Sequence, residues 1–243
     1  MGAPQFFVDP ADLTGEVAVV RGDEARHAVQ VLRLKVGERL LVADGSGRVA
    51  EAMAVAVDCG EVRARVEAVR VVPPRRPALT VVAGLVKGGK LDLVVQKLTE
   101  LGVERIAPAV CRRSVVDWDG RKRAAARDRW AAVALAAAKQ CHRDRVPVVA
   151  PVDDLAVQVT ASPGPRLVCW EEGGQPLSAA LPADPPDALT LVVGPEGGLE
   201  AGEVAACAEA GAVPVTLGPL VLRAETAAIA AAAAVGFRYG HLG

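Results

Sequence analysis

The feature that most constrains this chain is Pro73-Pro74-Arg75-Arg76-Pro77. Its prolines remove backbone donors and fix φ, so neither a strand nor a helix runs through it. The residue pattern differs on its two sides. The expected organisation is therefore one domain over residues 1–72, a linker over 73–77 and a second domain over 78–243. Each part is long enough to bury a core.

Before the linker, β-branched residues cluster between turn signals. Val17–Val20, Arg39–Ala43, Arg48–Val57 and Val62–Val72 read as strands, with turns at Asp44-Gly45-Ser46-Gly47 and Asp58-Cys59-Gly60. A short helix is expected around Asp23–Leu32. The sum is a small β-barrel-like domain.

After the linker, strands alternate with helices, the mark of a largely parallel sheet. Leu79–Val86 is a continuous apolar run, as a buried strand requires. Leu91, Val94, Val95, Leu98 and Leu101 recur at helical spacing, and Gly102 suits the position after a helix end. Val103–Val110 is expected as a strand with an irregularity at Pro108, and Arg121–Gln140 as a long helix. Val146–Val149 and Arg166–Trp170 read as short strands, and Pro176–Leu181 as one or two helical turns. The end of the chain reads strand Leu189–Val193, loop Gly194–Gly198, helix Glu200–Ala210, strand Val213–Leu217, loop Gly218–Leu222, helix Ala224–Phe237.

Charge is uneven along the chain. Residues 1–150 hold 25 Lys/Arg against 18 Asp/Glu, whereas residues 151–243 hold 3 against 11. A basic first part fits a polyanion partner; charge spread over unrelated surfaces fits equally. Aromatics are only 3% of the residues, which disfavours base stacking on an aromatic platform. The five cysteines are scattered, with no C-x-x-C pair, so neither a disulfide framework nor a zinc site is expected, and reduced thiols point to the cytoplasm. The first residues lack a signal-peptide pattern, and the Ala-rich run 224–235 is too short for a membrane span and carries Glu225.

The chemistry-bearing stretches are the two late loops. Gly194-Pro195-Glu196-Gly197-Gly198 follows a strand and precedes a helix, as a phosphate loop would, yet it is neither G-x-G-x-x-G nor a P-loop. Glu196, Glu200 and Glu225 surround it, opposed only by Arg223, which suits a neutral or cationic ligand better than a pyrophosphate. Two tight turns without a ligand are the plain alternative. Arg223–Glu225 reads either as a helix cap with its ion pair or as reacting groups. Lys97 and Glu100 read as a solvated helix face, and Cys141 as a buried thiol on the apolar face of the long helix. Ser114 has no evident base, and three histidines make no metal site.

Taken in order, the motifs form a set. Gly194-Pro195-Glu196-Gly197-Gly198 is followed by Leu217-Gly218-Pro219-Leu220-Val221-Leu222-Arg223-Ala224-Glu225-Thr226-Ala227. Upstream stand Gln96-Lys97-Leu98-Thr99-Glu100-Leu101-Gly102-Val103, then Arg112-Arg113-Ser114, then Gln140-Cys141-His142-Arg143 with Val146-Pro147. His27, Val31-Leu32-Arg33 and Asp44-Gly45 complete it. This ordered set resembles the RsmE family, the 16S rRNA (uracil-N3)-methyltransferases of the knotted SPOUT class. Lys139 stands where that family often has an acid, and His142 where it often has a small residue.

The resemblance implies an α/β fold: a PUA-like β-barrel that binds RNA, then a SPOUT methyltransferase domain with a C-terminal trefoil knot. It implies S-adenosylmethionine as cofactor, no metal, 16S rRNA of the small ribosomal subunit as partner, and a homodimer. It places the cofactor on Trp170, Glu171, Gly194, Glu196, Gly197, Leu217, Gly218, Leu222 and Thr226. Arg223, Glu225 and Thr226 become the catalytic candidates. RNA contacts are expected at Arg21, Arg26, Arg33, Lys87, Lys90, Lys97, Arg112, Arg113 and Arg143. Two other readings are a non-catalytic RNA-binding or ribosome-assembly protein on the same fold, and a methyltransferase with another target atom.

Overall fold

The computed structural model describes residues 3–114 and 118–242. Two compact units emerge: Met1–Pro74 with Ala138–Val146, and Arg75–Ala137 with Pro147–Gly243.

The first unit contains β1 (Gln5–Phe7), a 3-10 turn at Pro10–Asp12, β2 (Val17–Arg21), and α1 (Gly22–Arg26) running into a π-helical turn at His27–Val31. β3 (Arg39–Ala43), β4 (Arg48–Val57) and β5 (Glu61–Val71) complete a half-barrel sheet of order β1-β3-β4-β5-β2. Phe6, Leu13, Val20, Leu40, Val42 and Val62 fill its core. The expected Asp44–Gly47 turn has a visible cause. The Asp44 carboxylate accepts from the Ser46 and Arg48 N–H groups at 2.8 and 3.2 Å, while Gly45 and Gly47 take φ of 76° and 104°. The segment Ala138–Val146 is tied to this unit by an Arg70–Asp144 ion pair at 2.8 Å and by Lys139 with Glu24. The lysine that replaces an acid thus has a partner of its own. Cys141 departs from expectation: it lies in the turn after the long helix, half-buried, rather than on its apolar face.

The second unit is an eight-stranded sheet in which every pairing is parallel. In chain order it holds β6 (Ala78–Gly84), α2 (Lys90–Glu100), β7 (Arg105–Val110), α3 (Gly120–Gln140, from Ala138 on part of the first unit), β8 (Val148–Val149), β9 (Asp153–Asp154) and α4 (Leu155–Ala161). There follow β10 (Arg166–Cys169), β11 (Gln175–Pro176), α5 (Leu177–Ala180), β12 (Ala188–Val193), α6 (Ala201–Glu209), β13 (Ala212–Thr216) and α7 (Ala224–Arg238). The strand order is β11-β13-β10-β12-β6-β7-β8, with β9 also beside β7. Gly102 takes φ of 87° and closes α2 by donating to Thr99 O at 3.1 Å, as its position after an apolar helix face requires.

Pro108 does interrupt an edge. β7 pairs with β8 at Arg105 and Ile106 and with β9 at Ala109 and Val110, and proline, which has no N–H, falls in the gap. The buried Gln158 side chain fills in, donating to Pro108 O at 3.1 Å and to Pro151 O at 2.6 Å. β1, β9, β11 and α4 were not expected from the sequence. Each is short, and the three strands are defined by a partner distant in the chain rather than by an apolar run.

The sheet positions the site. β10 lies between β12 and β13, with Cys169 level with Val193 on one side and Val215 on the other. Three strands therefore end side by side, and their loops open on one edge. In open parallel sheets this edge is where ligands bind.

Candidate active site

The loops after β10, β12 and β13 line one cleft. Of the residues expected to hold a cofactor, Trp170, Glu171, Gly194, Glu196, Leu217, Gly218 and Leu222 are in its wall, with Pro195, Gly198, Pro219 and Ala227. Gly197 and Thr226 are not in that wall. The Gly197 carbonyl instead accepts from Arg113 Nη1 at 3.1 Å. Two glycines permit close approach. Gly198 takes φ of 72°, and the Glu171 carboxylate occupies the space a Cβ would need. At Gly194 a Cβ would lie 2.9 Å from Leu199 Cγ. Gly218 takes φ of 125°, and its N–H donates to Thr216 Oγ1 at 3.2 Å.

Glu196 organises one rim. It accepts from Lys90 Nζ at 2.9 Å and from the Lys87 N–H at 3.2 and 3.3 Å. Burial raises the Glu196 carboxyl, but the hydrogen bonds from Lys90 and the Lys87 N–H outweigh it and hold the group below the ordinary value. Of the expected RNA contacts, Lys90 is thus bound to an expected cofactor residue by its side chain and Lys87 by its backbone alone. Arg112 and Arg113 flank the other side of the loop, each 3.9 Å from Glu200. Glu203 anchors Arg112: it closes a capping box on α6 and accepts from the Arg112 N–H at 2.9 Å.

A family of RNA methyltransferase domains matches residues 74–236, and RNA methyltransferase PUA domains match residues 20–67. The ribosomal RNA small subunit methyltransferase E of Mycobacterium bovis is 40% identical, over 97% of this chain and 92% of its own length. This chain belongs to the ribosomal RNA small subunit methyltransferase E family. The family member of Bacillus subtilis is 32% identical over 90% of this chain and 89% of its own. The structure of the Neisseria gonorrhoeae enzyme, bound to S-adenosyl methionine, superposes with a TM-score of 0.85 at 28% identity and covers 98% of both chains.

In this methyltransferase the run after the cleft is laid out unevenly. Leu222 and Ala224 face the cleft, while Arg223 between them is exposed. Arg223 is the N-cap residue of α7, but its side chain makes no capping bond, and among the described residues no ion pair joins it to Glu225. The cap-with-ion-pair reading thus finds no support. Glu225 is half-buried, and its Oε2 is sealed from solvent without a hydrogen-bond partner. Thr226 is exposed. Trp170 Nε1 is the other buried side-chain atom that lacks a partner among the described residues.

The remaining expected RNA contacts are mostly engaged. Lys97 pairs with Glu100 at 2.8 Å along α2, as a solvated helix face would. In the PUA unit Arg21 pairs with Asp12 and with Glu61 at 3.1 Å, and Arg26 pairs with Asp23. Arg33 is exposed with φ of 55°, and the Arg143 carbonyl accepts from Gln5 Nε2 at 3.2 Å. Burial pushes the Cys111 and Cys169 thiols up to about 12, so neither serves as a nucleophile near neutrality. Among the described residues no group of three metal-ligating side chains converges, and no helix is long and apolar enough to cross a membrane.

The depressed Glu196 carboxyl has a stability consequence with a definite sign. A carboxyl lowered on folding stabilises the fold above its unfolded value, and that contribution is lost as pH falls through the folded value. Glu196→Gln should destabilise the fold at pH 7 by less than about 1 kcal/mol for so exposed a pair, and so lower the melting temperature slightly. The difference from wild type should shrink as the pH is taken down past the usual carboxylate range. Melting curves of both proteins from pH 7 to pH 3 check this; a gap that widens in acid contradicts it.

Proposed function

We propose that this family member transfers a methyl group from S-adenosylmethionine to N3 of one uridine in 16S rRNA. It works in the cytoplasm as a homodimer, with a trefoil-knotted C-terminal segment. The observation that carries the reading is the single cleft shared by the loops after β10, β12 and β13, with Arg223 and Glu225 directly beyond it. Its residues fit the cofactor. Glu171 and Glu196 suit a cationic donor, and the glycines admit a flat ring. When bound, S-adenosylmethionine supplies an electrophilic methyl on a sulfonium.

The chain's own residues do the rest. Uracil N3 carries a proton near neutrality, and each pKa unit by which that proton is made easier to lose is worth ~1.4 kcal/mol. The free Arg223 guanidinium stabilises the negative charge that develops on the uracil carbonyls, and the unpaired Glu225 carboxylate accepts the N3 proton. Thr226, exposed one residue on, orients the base. Arg112, Arg113, Lys87 and Lys90 border the cleft and hold phosphates of the flanking RNA. The PUA unit supplies Arg21, Arg26, Arg33 and Arg143 to the same RNA. Leu220, Val221 and Phe237 are 78%, 81% and 74% exposed, apolar surface that a second copy would cover.

Calorimetric titration with S-adenosylmethionine, followed by mapping of rRNA methylation in a strain lacking the protein, tests this. Heat of binding and one missing N3-methyluridine, restored by the gene, are expected. No heat and no missing methyl group would end the reading, and RNA affinity alone would favour a non-catalytic binding protein.

A further inference from the structure

Arg121, Lys122, Arg123, Arg127 and Arg129 fall within nine residues of α3, against one acid, Asp128. The first turn of this helix carries three cations and no acid. A helix N-terminus favours negative charge, so this placement opposes the helix dipole. Asp119, in front of the helix, is already engaged: its Oδ1 accepts from the Lys122 N–H at 2.8 Å.

The way these side chains are held separates them from other cations of the chain. Lys90, Lys97, Arg21 and Arg26 each have a carboxylate partner. Arg123 Nε donates instead to the Trp118 carbonyl at 3.1 Å, and Arg127 Nε to the Val149 carbonyl at 3.3 Å. A carbonyl is neutral, so it fixes the guanidinium and leaves its charge whole. Both acceptors are themselves held. The Trp118 ring lies 5.9 Å from that of the buried Trp130, and Val149 pairs with Ile106 across β8 and β7. Arg121 and Lys122 are exposed, and among the described residues neither has an ion pair.

This surface is linked to the cleft rim. Asp92, in the first turn of α2, accepts from Trp130 Nε1 at 3.1 Å and pairs with Arg129. Lys90, two residues earlier, pairs with Glu196 in the cleft wall. All of these residues belong to the second unit.

We propose that the N-terminal half of α3 binds the phosphate backbone of the RNA whose target base enters the cleft, through Arg121, Lys122, Arg123 and Arg127. This rests on the RNA substrate proposed above and adds a surface to it. An RNA backbone fits the feature. Phosphates recur along it, a guanidinium matches their geometry, and such contacts position the RNA without reading its sequence. Negative charge at this helix end also relieves the opposed dipole.

Arg121→Gln combined with Lys122→Gln tests the surface, since neither side chain is tied into the fold. The melting temperature should be unchanged or slightly higher, because two cations leave the first turn. Calorimetry should give unchanged S-adenosylmethionine affinity. Affinity for a 16S rRNA transcript should fall roughly 15- to 30-fold near 0.15 M salt, about four- to fivefold for each lost contact. The slope of log affinity against log salt should become shallower by about 1.4–1.8. Exchanging the cations, Arg121→Lys with Lys122→Arg, keeps the charge and should keep the affinity. Wild-type affinity and salt slope in the Gln variant overturn the proposal. A Gln variant that melts well below wild type would make the two cations part of the fold, and also overturns it. Displacement of the transcript by polyglutamate at equal charge would assign the surface to an acidic protein, with the same consequence. Failure of the wild type itself to bind the transcript is a separate result, which removes the RNA reading first.

Discussion

Arg223→Ala is expected to slow methyl transfer by roughly 10²–10³-fold, the loss typical of deleting one group that stabilises developing negative charge. S-adenosylmethionine affinity should stay within a few-fold of wild type, because Arg223 is exposed and outside the cleft wall. The same exposure leaves the fold intact: the side chain makes no capping bond to α7. Glu225→Gln should cost a similar factor, within the ~10²–10⁴ of general base catalysis. It keeps the shape and removes the proton acceptor. Single-turnover assays on small-subunit RNA with saturating cofactor isolate the step. Full turnover by Arg223→Ala with unchanged binding would remove it from the mechanism. The two losses should not multiply in the double variant if both residues act on one uracil, since residues that work as a unit are strongly non-additive.

The legible and illegible parts of this chain divide by physical cause. The apolar runs that became β6, β10 and β12 are buried on both faces, so their composition alone identifies them. The helices α2, α6 and α7 were legible because a Gly-rich or Gly/Pro loop precedes each and a periodic face follows. β9 and β11 are two residues each and exist only by pairing with β7 and β13, which no local pattern encodes. The site shows the same division. Which loops form the cleft could be read from Gly194–Gly198 and Gly218–Leu222. That Glu196 would be engaged by Lys87 and Lys90 could not, because that contact spans more than a hundred residues. Nor could the lack of a partner at Trp170 Nε1 and Glu225 Oε2, since an absent partner leaves no trace in a sequence.

Gly84→Ala is expected to damage both the fold and the cofactor site, although Gly84 carries no chemistry. It ends β6, and a Cβ there would lie 2.5 Å from Pro195 N, 2.7 Å from Gly194 C and 2.8 Å from Pro195 Cδ. Two of these atoms are backbone and the third belongs to a ring, so no flexible side chain can yield. Either β6 moves, against its pairing with β12 from Ala78 through Ala83, or the Gly194–Gly198 loop moves. Overpacking of this kind costs about 1–3 kcal/mol. In a domain of this size each kcal/mol is about 2–4 °C, so a fall of several degrees in melting temperature is expected. Displacing the loop should also weaken S-adenosylmethionine binding by at least about tenfold, as Gly194 and Glu196 lie in the cleft wall. Gly202→Ala is the matched control: its Cβ meets nothing within 4 Å, and it sits in the first turn of α6. There the exchange should raise the melting temperature slightly, since alanine is the better helix former by ~1 kcal/mol, and leave binding alone. Equal behaviour of the two variants would mean that the strand and loop backbones are not in rigid contact. A Gly84→Ala protein that melts lower but binds normally would locate the strain in β6 rather than in the loop.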